Sequence, residues 1–221
     1  MNLPRRPIPR YSPRDLRTIR SSTRYWLPGH TSLGRRILKR SLDILFSLVI
    51  SFSILSWLLP LLALLIKMES RGPVFFIQQR IGKNGKLFSC IKLRTMTTGH
   101  TPRVTRLGQF LRIQKLDEAP QFLNVLLGDM SIIGPRPHML SDHRRFSQLV
   151  GNTYHLRHLV LPGITGLAQI RGYEGPIDSL QKIRGRVKLD LFYLRKRSVA
   201  LDLWIIWKTA GLMIRSLLTL Y

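Results

Sequence analysis

Asp117 and Glu118 are the only neighbouring carboxylates among eleven acids in a chain that carries 36 Lys and Arg and a formal charge of +25. They lie in Leu116-Asp117-Glu118-Ala119-Pro120-Gln121, preceded by Arg112 and Lys115. Adjacent carboxylates repel each other, and a basic surround lowers that cost and keeps both ionised at neutral pH. Two such anions suit binding of a divalent cation or attack on phosphorus. The same hexapeptide also reads as a helix start, because Pro120 favours a first helical turn and acids there complement the helix dipole.

The elements that must position this pair are readable around it. Val74 to Ile81 and Leu87 to about Leu93 read as strands, joined by the turn signal Gly82-Lys83-Asn84-Gly85-Lys86. This hairpin carries Gln78, Arg80, Lys92 and Arg94, whose donors suit phosphate or carboxylate and equally suit a solvated basic edge. A helix is expected over Arg106 to Ile113 and a second from about Glu118 to Leu127, stopped by Gly128. That would set the acidic pair at a helix N-terminus, where free amides also attract phosphate. Farther on, Pro135 and Pro137 hold Arg136 in an extended backbone, which suits bidentate phosphate binding or a stiff turn. Pro162 to Gln169 is a third rigid stretch, in which Gln169 has no evident role in a turn.

A charge this positive calls for an anionic partner: nucleic acid, an anionic membrane surface or phosphorylated small molecules. The single cysteine, Cys90, excludes an intrachain disulfide and reads as a small buried apolar residue. The histidines show no zinc spacing, and neither a Walker phosphate loop nor a GxGxxG fingerprint is present.

Ile44 to Ile66 is free of charge, and as a helix of about 35 Å it could cross a bilayer core. It lies too far from the start, and is too long, for a signal peptide. Residues 1 to 43 hold eleven Lys and Arg against two Asp, and residues 67 to 221 hold twenty-five against nine acids. Positive flanks belong on the cytoplasmic side, so two positive flanks favour a segment that enters the membrane and returns. Ser56 and Pro60 are the expected break, because Pro60 removes a backbone donor and nearby serine hydroxyls can satisfy exposed backbone. A kinked spanning helix has the same signature. Residues 1 to 36 read as a basic tail on anionic headgroups, 37 to 67 as the membrane helix, and 68 to 221 as the catalytic region. The last of these ends in a helix from Leu201 to Tyr221 that is either interfacial or part of the core.

Taken in order, several motifs resemble the bacterial sugar transferase family. They are Lys39-Arg40-Ser41-Leu42-Asp43, the apolar stretch, Gly72-Pro73-Val74-Phe75-Phe76, Gln78-Gln79-Arg80-Ile81-Gly82 and Lys92-Leu93-Arg94-Thr95-Met96. The acidic motif follows, then Gly128-Asp129-Met130-Ser131, Gly134-Pro135-Arg136-Pro137 and Pro162-Gly163-Ile164-Thr165-Gly166. The resemblance covers roughly residues 37 to 215 and implies a monotopic phosphoglycosyl transferase. Its fold is expected to be α+β and mainly helical, with a re-entrant membrane helix, a small β-hairpin and interfacial helices.

The resemblance implies transfer of a sugar 1-phosphate from a UDP-sugar to undecaprenyl phosphate, with Mg2+ required. Asp117 then maps to the nucleophile of a covalent phosphosugar intermediate and Glu118 to the metal ligand. Arg112 and Pro135-Arg136-Pro137 face the phosphates and uridine, with Lys92, Arg94, Arg80 and Gln169 as further substrate-binding candidates. Such an enzyme sits on the cytoplasmic face of the bacterial inner membrane, among anionic lipids, and no nucleic acid is expected. The chain departs from the family where the usual Ser-Pro break reads Ser56-Trp57, and where a Gly-Arg after Gln169 is replaced by Gly172-Tyr173. A catalytically silent basic membrane adaptor is the competing reading, and a nucleic-acid binder ranks behind it.

Overall fold

The computed structural model describes residues 32–99, 101–175 and 177–218; the basic tail expected over 1 to 36 lies almost wholly outside the described residues. Helix α1 (Leu33–Ile50) opens on Ser32, whose hydroxyl accepts from the Arg35 amide. It runs through a π-helical segment, Ser51–Leu55, into α2 (Ser56–Glu69). Together Leu33–Glu69 is a single 37-residue helix, long and apolar enough to cross a membrane by length and composition.

The helical irregularity falls at Ser51–Leu55, one turn ahead of Pro60, which is accommodated inside α2. The Ser56 amide reaches back five residues to the Ser51 carbonyl, which widens the turn. Side chains supply extra donors around it: Ser53 Oγ to Val49 O at 2.6 Å, Ser56 Oγ to Phe52 O at 2.7 Å and Trp57 Nε1 to Ser53 O at 3.0 Å. Such hydroxyl back-bonding bends helices, and here it supplies donors to backbone carbonyls at the irregular turn.

Both ends of this helix are fastened to one body. Near its start, Arg40 donates to Val125 O at 2.6 Å and to Met130 O at 3.3 Å. Buried Asp43 accepts from Ser131 Oγ at 2.7 Å and from the Ile132 amide at 3.2 Å, and Lys39 joins it to Asp202. Near its end, Leu62 and Ile66 pack with Leu93 and Leu111, and Glu69 accepts from the Leu107 amide. Between these anchorages Phe52 and Trp57 stand exposed, at 76% and 58%.

The body combines short strands with helices. Strands β1 (Phe75–Ile81) and β2 (Leu87–Leu93) form the expected antiparallel hairpin, Phe75 opposite Leu93 and Ile81 opposite Leu87. Helix α3 (Arg106–Ile113) falls where the sequence places it, with Thr105 as its cap. The next helix differs: Leu116–Glu118 is a 3-10 turn, and α4 (Gln121–Leu127) begins only after Pro120. The acidic pair therefore occupies a tight turn and not a helix N-terminus.

A parallel pair absent from the sequence reading, β3 (Ser131–Ile133) and β4 (Gly163–Thr165), closes the middle of the body. The two chains approach so closely that a Cβ on Gly163 would lie 2.1 Å from the Gly134 amide nitrogen, so only glycine fits. Helix α5 (Leu140–Val150) and a 3-10 stretch, Asn152–Leu159, precede β4, and the short α6 (Leu167–Ile170) follows it. Helices α7 (Leu180–Lys196) and α8 (Val199–Leu218) complete the chain. The core gathers Phe88, Cys90, Val125, Met130, Ile133, Tyr193, Leu194 and Ile205, which confirms Cys90 as a buried apolar residue. Helix α8 buries Asp202 and Ile205 near its start, whereas Trp207, Ile214 and Leu218 are exposed along the remainder.

Candidate active site

The turn bearing Asp117 and Glu118 is set by Lys115, whose backbone is left-handed (φ 58°), an arrangement uncommon outside glycine and typical of functional turns. The turn lies against β2 because Asn124 of α4 completes the edge of that strand. Its side chain accepts from the Ile91 amide at 3.0 Å and donates to Ser89 O at 2.8 Å. Lys92 is the next residue along β2, so its ammonium is brought to Glu118, Nζ to Oε1 at 2.6 Å.

Arg136 approaches from the other side and grips Glu118 through both terminal nitrogens, Nη1 to Oε2 at 2.9 Å and Nη2 to Oε1. Its backbone is immobilised by four residues from three elements at four consecutive carbonyls. Pro135 O accepts from the Gly163 amide, and Arg136 O from Arg157 Nη2. Pro137 O accepts from Arg80 Nη1, and His138 O from the Ile81 amide. The proline pair thus stiffens a segment that β1, β4 and the 3-10 stretch all hold in place.

Behind that segment lies a buried polar network. Arg157 is ion-paired with Asp190, Nη2 to Oδ2 at 2.8 Å, and its Nη1 reaches His138 Nδ1 at 2.9 Å. Tyr154 Oη meets the same ring nitrogen at 2.6 Å, and Arg186 Nη1 meets His138 Nε2 at 3.2 Å. Burial, then the Arg157 and Arg186 guanidiniums, hold His138 far below the usual histidine range and therefore neutral.

The two carboxylates differ sharply in environment. Burial works against the Glu118 charge, but Arg136 and Lys92 overcome it and hold the carboxyl down at about 2. Asp117 moves the other way: burial and then the charge of Glu118 raise it, only partly countered by Lys92, Arg136 and Arg112. Two carboxyls pushed apart in this way have separate roles. Glu118 is an anion held directly by two cations, and Asp117 is the more basic of the two carboxyls.

The structure brings together Asp117, Glu118, Lys92, Arg136, Pro135 and Pro137. Arg112 is close enough to act on the Asp117 charge and is oriented by Thr95, Nε to Oγ1 at 2.8 Å. Arg80 is held by Gln78 and supports Pro137 from behind. Two candidates are engaged elsewhere. Buried Arg94 donates to Ser70 O and Arg71 O at 2.8 and 2.6 Å, so it caps the end of α2. Gln169 is buried in α6 and donates to Ile164 O at 3.0 Å. Ser56 and Pro60 lie in the apolar helix. The sequence reading missed Asn124, Arg157, His138, Asp190 and Glu174, for which no spacing signal exists.

Among the described residues no cluster of three or more His, Cys, Asp or Glu forms a protein cage for a metal. The available oxygens are two neighbouring carboxylates, which fits magnesium, an ion that uses one or two carboxylates and completes its shell with water and substrate phosphate.

The family model for bacterial sugar transferases matches residues 34–216. The chain belongs to this family. Among relatives, a UDP-glucose:undecaprenyl-phosphate glucose-1-phosphate transferase of Escherichia coli (strain K12) is 45% identical over 185 residues, covering 79% of this chain and 39% of its own length. The exopolysaccharide production protein PSS of Rhizobium leguminosarum bv. phaseoli is 44% identical over 188 residues, covering 78% of this chain and 93% of its own. A UDP-N-acetylgalactosamine-undecaprenyl-phosphate N-acetylgalactosaminephosphotransferase of Aeromonas hydrophila is 40% identical over 194 residues, 82% of this chain and 44% of its own. The chain spans about two-fifths of the length of the Escherichia coli relative.

Glu118 has a predictable signature in acid. Its carboxyl is depressed by folding, so its contribution to stability is complete above the ordinary value of 4.5 and is lost as pH falls toward about 2. Thermal unfolding of the wild type between pH 5 and 2 (test conditions) should show that loss, and Glu118→Gln should lack it.

Proposed function

We propose that this protein transfers a sugar 1-phosphate from a UDP-sugar to undecaprenyl phosphate through a covalent intermediate on Asp117, on the cytoplasmic face of the bacterial inner membrane. The observation that carries the reading is the unequal contact of the two carboxylates with the cations: Lys92 and Arg136 bond directly to Glu118 and act on Asp117 only at longer range. The names of the relatives supply the substrates: a UDP-sugar and undecaprenyl phosphate recur among them.

An Asp117 carboxylate oxygen attacks the phosphorus that bears the sugar. The bond from that phosphorus to the bridging oxygen breaks, and its electron pair leaves on UMP. Arg136, Lys92 and Arg112 all act on the Asp117 charge and are the cations available to that developing charge, and a guanidinium fixed in advance needs no reorganisation at the moment of reaction. The diphosphate competes with Glu118 for Arg136 and Lys92, so substrate binding exchanges one anion for another against the same cations. An oxygen of undecaprenyl phosphate then attacks the same phosphorus, and Asp117 leaves as a carboxylate. No proton transfer is required in either half. Glu118 would hold magnesium, which when bound screens the charge of the diphosphate.

A covalent intermediate suits a site that must serve one soluble and one lipid substrate in turn. The apolar helix supports that arrangement, since both its ends are anchored to the same body and its exposed Phe52 and Trp57 lie between. We read it as entering the bilayer and returning, with α8 carrying its exposed apolar side chains at the interface.

Asp117→Asn keeps shape and removes the anion; UMP release with magnesium, a UDP-sugar and undecaprenyl phosphate should fall by roughly a thousandfold or more. Unchanged turnover would remove Asp117 from the nucleophile's role. Single cysteines near Arg36 and Arg71 should react with an impermeant thiol reagent from the same side of the membrane, and opposite accessibility would contradict a re-entrant segment.

A further inference from the structure

Glu174 belongs to none of the motifs that carry the family resemblance, and it lies where this chain reads Gly172-Tyr173-Glu174 in place of Gly-Arg. Its carboxylate nevertheless meets the catalytic turn: Lys115 Nζ lies 2.6 Å from Glu174 Oε2, two residues before Asp117. Glu174 also acts on Arg136, whose charge burial opposes and Glu118, Asp117 and Glu174 restore.

The segment that presents Glu174 is built, not loose. Arg186 spans it from behind, donating from Nε to Tyr173 O at 2.7 Å and from Nη2 to Gly175 O at 3.0 Å. One guanidinium thus fixes the backbone on both sides of residue 174. The Tyr173 ring lies in a notch on α7 made by Gly185, where an added Cβ would come within 2.2 Å of ring carbon Cε1. Tyr173 is therefore docked on α7, and Glu174 is left to face Lys115. The third nitrogen of Arg186 meets His138, in the network that fixes the Arg136 segment. The backbone that carries Glu174 and the backbone that carries Arg136 are thereby tied to the same buried network.

We propose that Glu174 is a specificity-determining residue that accepts hydrogen bonds from hydroxyl groups of the sugar in the UDP-sugar. This rests on the proposed attack of Asp117 on phosphorus. A carboxylate repels the diphosphate, which belongs with Lys92, Arg112 and Arg136. It attracts hydroxyl donors, and the sugar is bonded directly to the phosphorus that Asp117 attacks. Glu174 stands beside that same turn. An ionised carboxyl has about four lone-pair sites, so the ion pair with Lys115 leaves acceptor capacity for hydroxyls. Hydrogen bonds to a charged acceptor discriminate strongly between epimers that present or withhold a hydroxyl.

The test compares kcat/KM for UMP release from UDP-glucose, UDP-galactose and their N-acetylated 2-amino counterparts in the full chain with magnesium and undecaprenyl phosphate. Glu174→Ala should lower the value for the preferred sugar by about tenfold or more, with smaller losses for the others, so that the ratios between sugars shrink. Gly185→Ala, which displaces the Tyr173 ring but keeps the carboxylate, should shrink them in the same way. A common factor for Glu174→Ala, or no change, overturns the proposal and leaves the assignment of Asp117 intact. If the wild type releases UMP from none of these sugars, the proposed function itself fails and the role of Glu174 with it.

Discussion

Glu118 sits between Arg136 and Lys92, and that three-way contact joins segments far apart in the chain: β2, the acidic turn and the Pro135-Arg136-Pro137 stretch. A largely buried carboxylate without partners would be costly, and two cations of like sign would repel across the empty space it fills. Each of the three groups is tolerable only because the other two are present. The asymmetry with Asp117 follows from the same contact. The cations face Glu118 directly and reach Asp117 only at longer range, so the two neighbours differ in how closely their charges are balanced.

That contact could not be maintained by side chains alone. Four consecutive carbonyls from Pro135 to His138 are each held by a different residue, and the Arg157–Asp190 pair stands behind them. The membrane-compatible helix is joined to the same body by buried polar contacts at its start and by apolar packing at its end. Arg94 and Glu69 extend this coupling, the first capping the end of α2 and the second accepting from the first turn of α3, which carries Arg112.

The acidic pair and Arg136 were legible in the sequence because each is locally anomalous: two adjacent acids in a basic chain, and an arginine locked between prolines. The hairpin was legible from its turn residues, and α3 from its bounds. Arg94 shows the limit. A guanidinium suits a phosphate and the carbonyl end of a helix equally well, and only the path of the chain places it on Ser70 and Arg71. The β3–β4 pair has strands of three residues, too short to show a period. Lys115 and Glu174 are 59 positions apart, and Arg157 and Asp190 33 apart, so nothing local announces either pair. The acidic turn was misread as a helix start because Pro120 is common there, whereas here it precedes α4 and leaves the carboxylates in the turn before it.

The central claim is that Asp117 carries the sugar phosphate between two substrates. Incubating the protein with magnesium and a UDP-sugar, but no undecaprenyl phosphate, and measuring its intact mass tests that claim most directly. The predicted result is a gain of one sugar phosphate, mapped to Asp117 and lost when undecaprenyl phosphate is added. UMP release that occurs only when both substrates are present, with the mass of the protein unchanged throughout, would contradict it.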